Sequence, residues 1–332
     1  MRNLFYLLGS LVLALGCVED YELELSDAEA RIVVEALITN EPGPYYVRLI
    51  YSRVGEFKPV DYHSIDDEKP VLNASIIISD DHEQVDTLIP INLDLEGYIY
   101  EAGYGYIKLI YDNAGQVVDT VFLEDPEMFT HDRGYYKTTS LVGIPNRMYK
   151  LHIIADGADY YAQDYMMEVP EIDSLTYEKR NSGYSNPQGP EYYYVPLLNF
   201  KEPQNEKNYY LIQFGNELQN RMYSTNRLWR FSILSDKYLE PYVNRLIVDD
   251  GASPDGIEFY RSLTYGHPIE VSISSLSPIS YDYYDNLLKQ FENDGGVYKP
   301  SPASPPTNIT NGGLGFFRAS ATTNIFGIIG FK

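Results

Sequence analysis

The chain has 332 residues, with 25 Lys and Arg against 48 Asp and Glu, a formal charge of −23, and one cysteine. Such acidity excludes charge-driven binding of nucleic acid or of anionic lipid. A single cysteine excludes any intrachain disulfide, so the fold must rest on its core, and the length is ample for two domains.

Residues 4–15 form a short apolar run behind Arg2, broken only by Gly9 and Ser10. It is too short to cross a bilayer, which takes about 20 apolar residues, and has the shape of a signal-peptide core. Its end, Leu13-Ala14-Leu15-Gly16-Cys17, admits two readings. Ala14-Leu15-Gly16 suits ordinary secretory cleavage. Leu15-Gly16-Cys17 ends a bacterial lipobox, whose cysteine takes a diacylglycerol thioether and an N-acyl chain, with Ala14 where leucine is usual. The placing of the only cysteine at this junction favours lipidation of Cys17, leaving residues 1–16 as the leader. Each buried CH₂ of such an anchor contributes about 0.8 kcal/mol.

Residues 17–30 read as an acidic tether, after which the periodicity turns to strands. Ile32 to Ile38 is rich in β-branched residues, Asn40 to Pro44 is a turn by composition, and Tyr45 to Tyr51 returns as a strand. Residues 52–70 read as a long polar loop. Strands follow at Val71–Ser79, Gln84–Ile89, Gly97–Tyr100 and Tyr106–Tyr111, the last leading through Asp112 to Gly115 into Gln116–Phe122. Tyr149–Ala155 and Tyr160–Val169 flank Asp156-Gly157, a hairpin signal. Short strands with a turn every 8–12 residues describe a sandwich.

Pro170 to Leu175 reads as a joint into a second unit, and Asn181 to Pro190 as a loop. Further strands fall near Tyr192–Phe200, Tyr209–Gly215, Leu228–Leu234, Arg245–Val248 and Ile269–Ser274. One helix stands out over about 278–293. Ser277 caps it, Pro278 suits its first position, Tyr284, Leu287, Leu288 and Phe291 share one face, and Gly295 ends it. Tyr298 to Asn311 carries four prolines and reads as extended loop. Strand character returns at Gly312–Phe317 and Thr323–Phe331. The expected fold is mostly β: an immunoglobulin-like or prealbumin-like β-sandwich over 31–169, then a second β-rich domain over 170–332 with a helix in its C-terminal region.

Tyrosine is abundant, 33 against one Trp. It suits half-exposed strands with a wet end, and it would equally serve an aromatic surface for glycan or protein. The residues show no nucleophile elbow, phosphate loop or dinucleotide fingerprint. His82-Glu83 lacks a second histidine at helical spacing. Asp66-Asp67-Glu68, Asp80-Asp81 and Asp249-Asp250 lack the ligand spacing of a calcium loop and read as solvated loop charge. No catalytic, metal or cofactor site is assigned, and the expectation is a protein that is not an enzyme.

Several blocks carry a resemblance: the lipobox, Val33 to Tyr45, Val71 to Ile78, Leu141-Val142-Gly143 with Tyr149-Lys150-Leu151, the Pro170 joint, the helix, Pro305-Pro306-Thr307-Asn308-Ile309 and Gly312 to Phe317. Together they resemble the Bacteroidota lipoproteins of domain of unknown function family 4249 (DUF4249). The resemblance implies a cell-envelope lipoprotein, often encoded beside a TonB-dependent outer-membrane receptor, and no catalytic residues. Glu19-Asp20 after Cys17 resembles the signal that exports such lipoproteins to the outer leaflet. Asp86-Thr87-Leu88, Asp119-Thr120-Val121 and Asp173-Ser174-Leu175 resemble that phylum's O-glycosylation sites at Thr87, Thr120 and Ser174.

The expected function is therefore a non-catalytic protein anchored to the outer membrane by lipid on Cys17, surface-exposed, serving as an accessory or ligand-capturing partner of a TonB-dependent transporter. The alternatives are a surface adhesin or glycan-binding module, and a hydrolase with an unrecognised site.

Overall fold

The computed structural model describes residues 29–52, 69–91, 99–101, 105–112, 114–123, 133–186, 189–204, 206–215, 231–247, 266, 268–292 and 305–330. Cys17, the tether up to residue 28, the loop at 53–68, Asp249-Asp250 and Gly295 lie outside these residues. The described strands and helix all fall in one unit, residues 31–52 and 66–332.

In chain order the first strands are β1 (Ile32–Thr39), β2 (Tyr46–Tyr51), β3 (Lys69–Pro70), β4 (Ser75–Asp80), β5 (Val85–Thr87) and β6 (Ile89–Pro90). Then come β7 (Ile99–Glu101), β8 (Gly105–Tyr111), β9 (Val117–Leu123), β10 (Tyr135–Lys137), β11 (Arg147–Ala155) and β12 (Ala158–Met166). The later part adds β13 (Ile172–Asn186), β14 (Gly189–Lys201), β15 (Tyr209–Gly215), β16 (Phe231–Ser235), β17 (Tyr242–Ile247) and β18 (Pro268–Ser275). Helix α1 (Pro278–Glu292), β19 (Leu314–Ser320) and β20 (Thr322–Ile328) close the described chain. The protein is mostly β, with one α-helix among the described residues.

Two sheets make the first sandwich. Sheet A runs β19-β1-β2-β10-β6, with β3 on β2, and sheet B runs β12-β11-β4-β5. Strand alternation sends Val34, Val47 and Leu49 from sheet A against Ile76, Ile78, Leu151 and Ile153 from sheet B, all nearly inaccessible. Strands β7, β8 and β9 form a separate three-stranded sheet C. The turn joining β11 to β12 is Asp156-Gly157, both at positive φ (51° and 76°), as a tight hairpin demands.

The second core lies between sheet D, β13-β14-β17, and sheet E, β16-β15-β18-β20. Val195, Leu197 and Phe200 meet Tyr210, Ile212, Val271 and Ile273, with the Phe200 and Tyr210 rings edge to face at 6.1 Å. The Pro170 joint opens directly into β13, which with β14 forms a long hairpin. The stretch from Asn181, expected as a loop, supplies the hairpin's far end, where Ser185 pairs with Pro190 and Asn186 with Gly189. The pairing is irregular between Asn181 and Ser185, and the ladder bonds on either side of that break outweigh the weak strand propensity of these residues.

One strand crosses between the halves. β19, expected within the second domain, runs parallel to β1 at the edge of sheet A, from Val33 opposite Leu314 to Thr39 opposite Ser320. It is buried on both faces. Phe317 and Ala319 enter the first core. On its other face Phe316 stacks on Tyr283 of α1 at 4.5 Å. Arg318 donates from Nη1 to Tyr284 Oη at 2.9 Å, with its guanidinium over the same ring. Gly315 in β19 sits at φ +83°, and a Cβ there would lie 2.0 Å from the Val34 carbonyl oxygen. From the same helix Tyr281, Leu287 and Leu288 pack, with Tyr284, against Leu211, Phe231 and Leu276 of the second half. Its start agrees with the sequence expectation. Pro278 is its first residue and Ser280 N–H donates to Ser277 Oγ at 3.2 Å.

Candidate functional site

Sheet B has one face in the core and one face outward. In β12 the period of two puts Tyr161, Gln163 and Tyr165 outside and Ala162, Asp164 and Met166 inside. In β11 the same rule turns Met148, Lys150 and His152 outward. The ladders align these into rows. Tyr161, His152, Ile77 and Thr87 are successive neighbours across the sheet, as are Gln163, Lys150, Ser79 and Val85. Tyr165 and Met148 start a third row.

A groove of about 930 Å³ lies on this face. The turn into α1, with Ile279, and the segment carrying Asn308 and Thr310 contribute to its lining. Its centre is the polar row Gln163, Lys150 and Ser79, and on either side stand aromatic and apolar groups. Tyr161 is 50% exposed and Tyr165 37% exposed. The His152 ring stacks on Tyr161 at 4.4 Å, nearly parallel, and its Nε2 lies 2.7 Å from Asp159 Oδ1. The Lys150, Gln163 and Ser79 side chains have no partner among the described residues.

The edge of β12 beside the groove is already bonded. Thr310 N–H donates to the Tyr161 carbonyl, and Tyr161 N–H donates to Thr310 Oγ1, both at 2.8 Å. Asn308 Nδ2 donates to the Gln163 carbonyl and to the Phe317 carbonyl, while its Oδ1 accepts from Phe317 N–H. The Pro305 to Ile309 segment thereby laces β12 to β19, which explains the Asn of that block.

Beneath the groove lies Asp164, 2% exposed and at a core position of β12. It accepts from Ser277 Oγ, from Ser280 Oγ at 2.8 Å, and from the N–H groups of Ala319 and Tyr165. Burial pushes its carboxyl above the ordinary value despite those donors. Asp164 thus ties β12, the cap of α1 and β19 together. Asp164 borders the groove, but its carboxyl is occupied by these donors. The sequence does hold a signal for it: an acidic residue at the apolar parity of an alternating strand.

The sequence-predicted sites fall as follows. Cys17 lies outside the described residues. Thr87 is exposed on the outer face of sheet B, in the row of Tyr161 and Ile77. Its neighbour Asp86 is buried and accepts from the N–H groups of Thr139, Ser140 and Leu141 and from Thr139 Oγ1. Thr120 is half-buried in β9, and Ser174 in β13 accepts from Asn199 Nδ2 at 3.1 Å. The three positions stand on three different sheets. Asp80, expected as solvated loop charge, is instead a buried anchor. Arg147 Nη1 donates to it at 2.6 Å, and His82 and Gln84 N–H close the turn on its other oxygen. Burial alone would raise this carboxyl, but those donors hold it below the ordinary range. Among the described residues no group of three His, Cys, Asp or Glu side chains is placed to hold a metal.

The fold and the groove define a two-core β-sandwich protein with an aromatic-sided surface cleft. A family model described as a domain of unknown function, DUF4249, matches residues 18–325, and the chain belongs to that family. No curated protein matches the chain.

Proposed function

We propose that the protein is a non-catalytic, ligand-capturing protein, anchored to the outer membrane by lipid on Cys17 and working beside a TonB-dependent transporter. The observation that carries the reading is the groove on sheet B, where unpaired polar groups lie between aromatic and apolar rows. That is the make-up of a small-molecule site, apolar in its walls with a few placed polar groups.

Anchoring supplies the mechanism. β1 opens about 15 residues after Cys17, so its start lies within about 50 Å of a lipid on that residue. A tethered binder meets a neighbouring receptor at a high effective concentration, and weak contacts then suffice for hand-over. The resemblance implies the receptor neighbour, and the acidic surface fits a body kept off anionic lipid.

Two measurements test this. Cys17→Ala should leave the fold unchanged and move the protein from the membrane to the soluble fraction. Unaltered membrane attachment would refute the tether. Affinity purification of the lipidated protein from native outer membranes should recover a TonB-dependent receptor. Repeated recovery without one would remove the transport role.

A further inference from the structure

We propose that the sheet B groove binds an acidic oligosaccharide, a sugar chain bearing a carboxylate or sulfate, with the anion on Lys150 and sugar rings against Tyr161 and Tyr165. The inference rests on the capture reading above and names its ligand.

Four observations lead to it. Tyr161 and Tyr165 stand on one face of β12, four residues apart, which places them about 13 Å apart along the strand. Two exposed rings at that spacing can flank a short chain of sugar units, whose C–H faces are apolar while their rims carry hydroxyls. Between them lies Gln163, which offers both a donor and an acceptor, and Ser79 adds a hydroxyl in the same cross-strand row. These are the groups that hydroxyl-rich ligands need.

Lys150 supplies the charge. It stands between Gln163 and Ser79, exposed, with no anionic partner among the described residues, on a chain of formal charge −23. The nearby carboxylates are already engaged. Asp159 pairs with His152, and Asp164 is satisfied below the sheet. An unpaired ammonium in a groove whose carboxylates are occupied is complementary to an anion.

The edge of β12 argues against an extended peptide. Strand addition needs free backbone N–H and C=O groups. Here Tyr161 is bonded through both its N–H and its carbonyl, and the carbonyls of Gln163 and Asp159 accept from Asn308 and Asn311. What the groove offers is ring faces and side-chain polar groups, which suits a sugar.

The test uses the full chain in detergent, titrated with trigalacturonate, an alginate trisaccharide and a chondroitin sulfate tetrasaccharide, with cellotriose and xylotriose as neutral probes. At least one acidic probe should bind, more weakly as salt rises. Lys150→Met should weaken that binding about tenfold and abolish its salt dependence. Tyr161→Ala and Tyr165→Ala should each weaken it about fivefold. These residues are exposed, so the unfolding midpoints should stay unchanged.

Binding of neutral probes alone, of no probe at all, or binding indifferent to all three substitutions would overturn the assignment. Native mass spectrometry of the protein purified from its own envelope separates the two layers of the argument. A bound non-saccharide molecule lost in Tyr161→Ala would overturn the sugar and keep the capture role. No groove-dependent ligand in either measurement would end both.

Discussion

The first sandwich has two outward faces, and the chain treats them differently. On sheet A, at β19, the outer residues Phe316 and Arg318 are covered by Tyr283 and Tyr284 of α1. On sheet B, Tyr161, Tyr165 and Met148 share the outer face with Lys150, and α1 contributes only Pro278 and Ile279, at its start, to the groove there. Tyrosine stands at both places. At sheet A the rings belong to the covering helix itself and are packed away, with burial pushing both the Tyr283 and Tyr284 hydroxyls well above the ordinary value. Where no helix covers them, the same residue type is left for contact with something else. Tyrosine count alone therefore says little about binding; the covering element decides.

The comparison breaks most sharply at β19. Gly315→Ala should drive a methyl into the Val34 carbonyl and force β19 off β1, costing about 3–4 kcal/mol and uncovering the helix-facing side. Urea unfolding checks it, and a change under about 1 kcal/mol would mean that β19 can shift at little cost. Next comes Asp164→Ala, which strands two buried hydroxyls and the Ala319 N–H. A loss of about 3 kcal/mol is expected, with faster hydrogen exchange at the start of α1.

Asp86 and Asp164 should give opposite pH slopes. Burial alone would lift the Asp86 carboxyl, but the N–H groups of Ser140, Leu141 and Thr139 and the Thr139 hydroxyl hold it below the ordinary range. A carboxyl held low favours the folded state above the unfolded value of about 3.9, and that contribution is lost as pH falls through the folded value. Asp86→Asn should therefore cost about 1–2 kcal/mol at neutral pH and flatten the acid limb of the stability curve. Asp164, held high by burial, behaves the other way. Its contribution declines as pH rises from about 3.9 through its folded value.

The smallest effect belongs to the uncovered face. Tyr161→Ser with Tyr165→Ser should change stability by no more than about 0.5 kcal/mol, because neither ring fills the core. A loss well beyond that, in a thermal melt, would show that the face is structural and erase the contrast with sheet A.

Much of this was legible in the residues. The β1–β2 hairpin followed from a β-branched run and a Pro-Gly turn, and the helix from Ser277, Pro278 and the spacing of Tyr284, Leu287 and Leu288. The alternation in β12 alone separates Tyr161, Gln163 and Tyr165 from Ala162, Asp164 and Met166, so the parity of the candidate site was readable too. Partner choice was not. Nothing local in Leu314–Ser320 says that its neighbour is β1, because a ladder is completed by whichever strand the topology brings alongside. Asp80 failed for the same reason: the arginine that pairs with it, Arg147, lies 67 positions later. Asn181 to Pro190 had the composition of a loop, yet most of it is held in strand by facing partners.

The pairing of β1 with β19 has a consequence in time. Val33 faces Leu314, 281 positions later in the chain. Pairings of such separation form slowly, because the loop must close before its contacts repay the entropy. A chain emerging N-terminus first can build the hairpin of β1 and β2 early, but β1 keeps a bare edge until almost everything else has arrived. An unpaired edge is an invitation to other strands. The protein is therefore at its most aggregation-prone just before completion, and whatever guards it during folding must stay until β19 seals that edge.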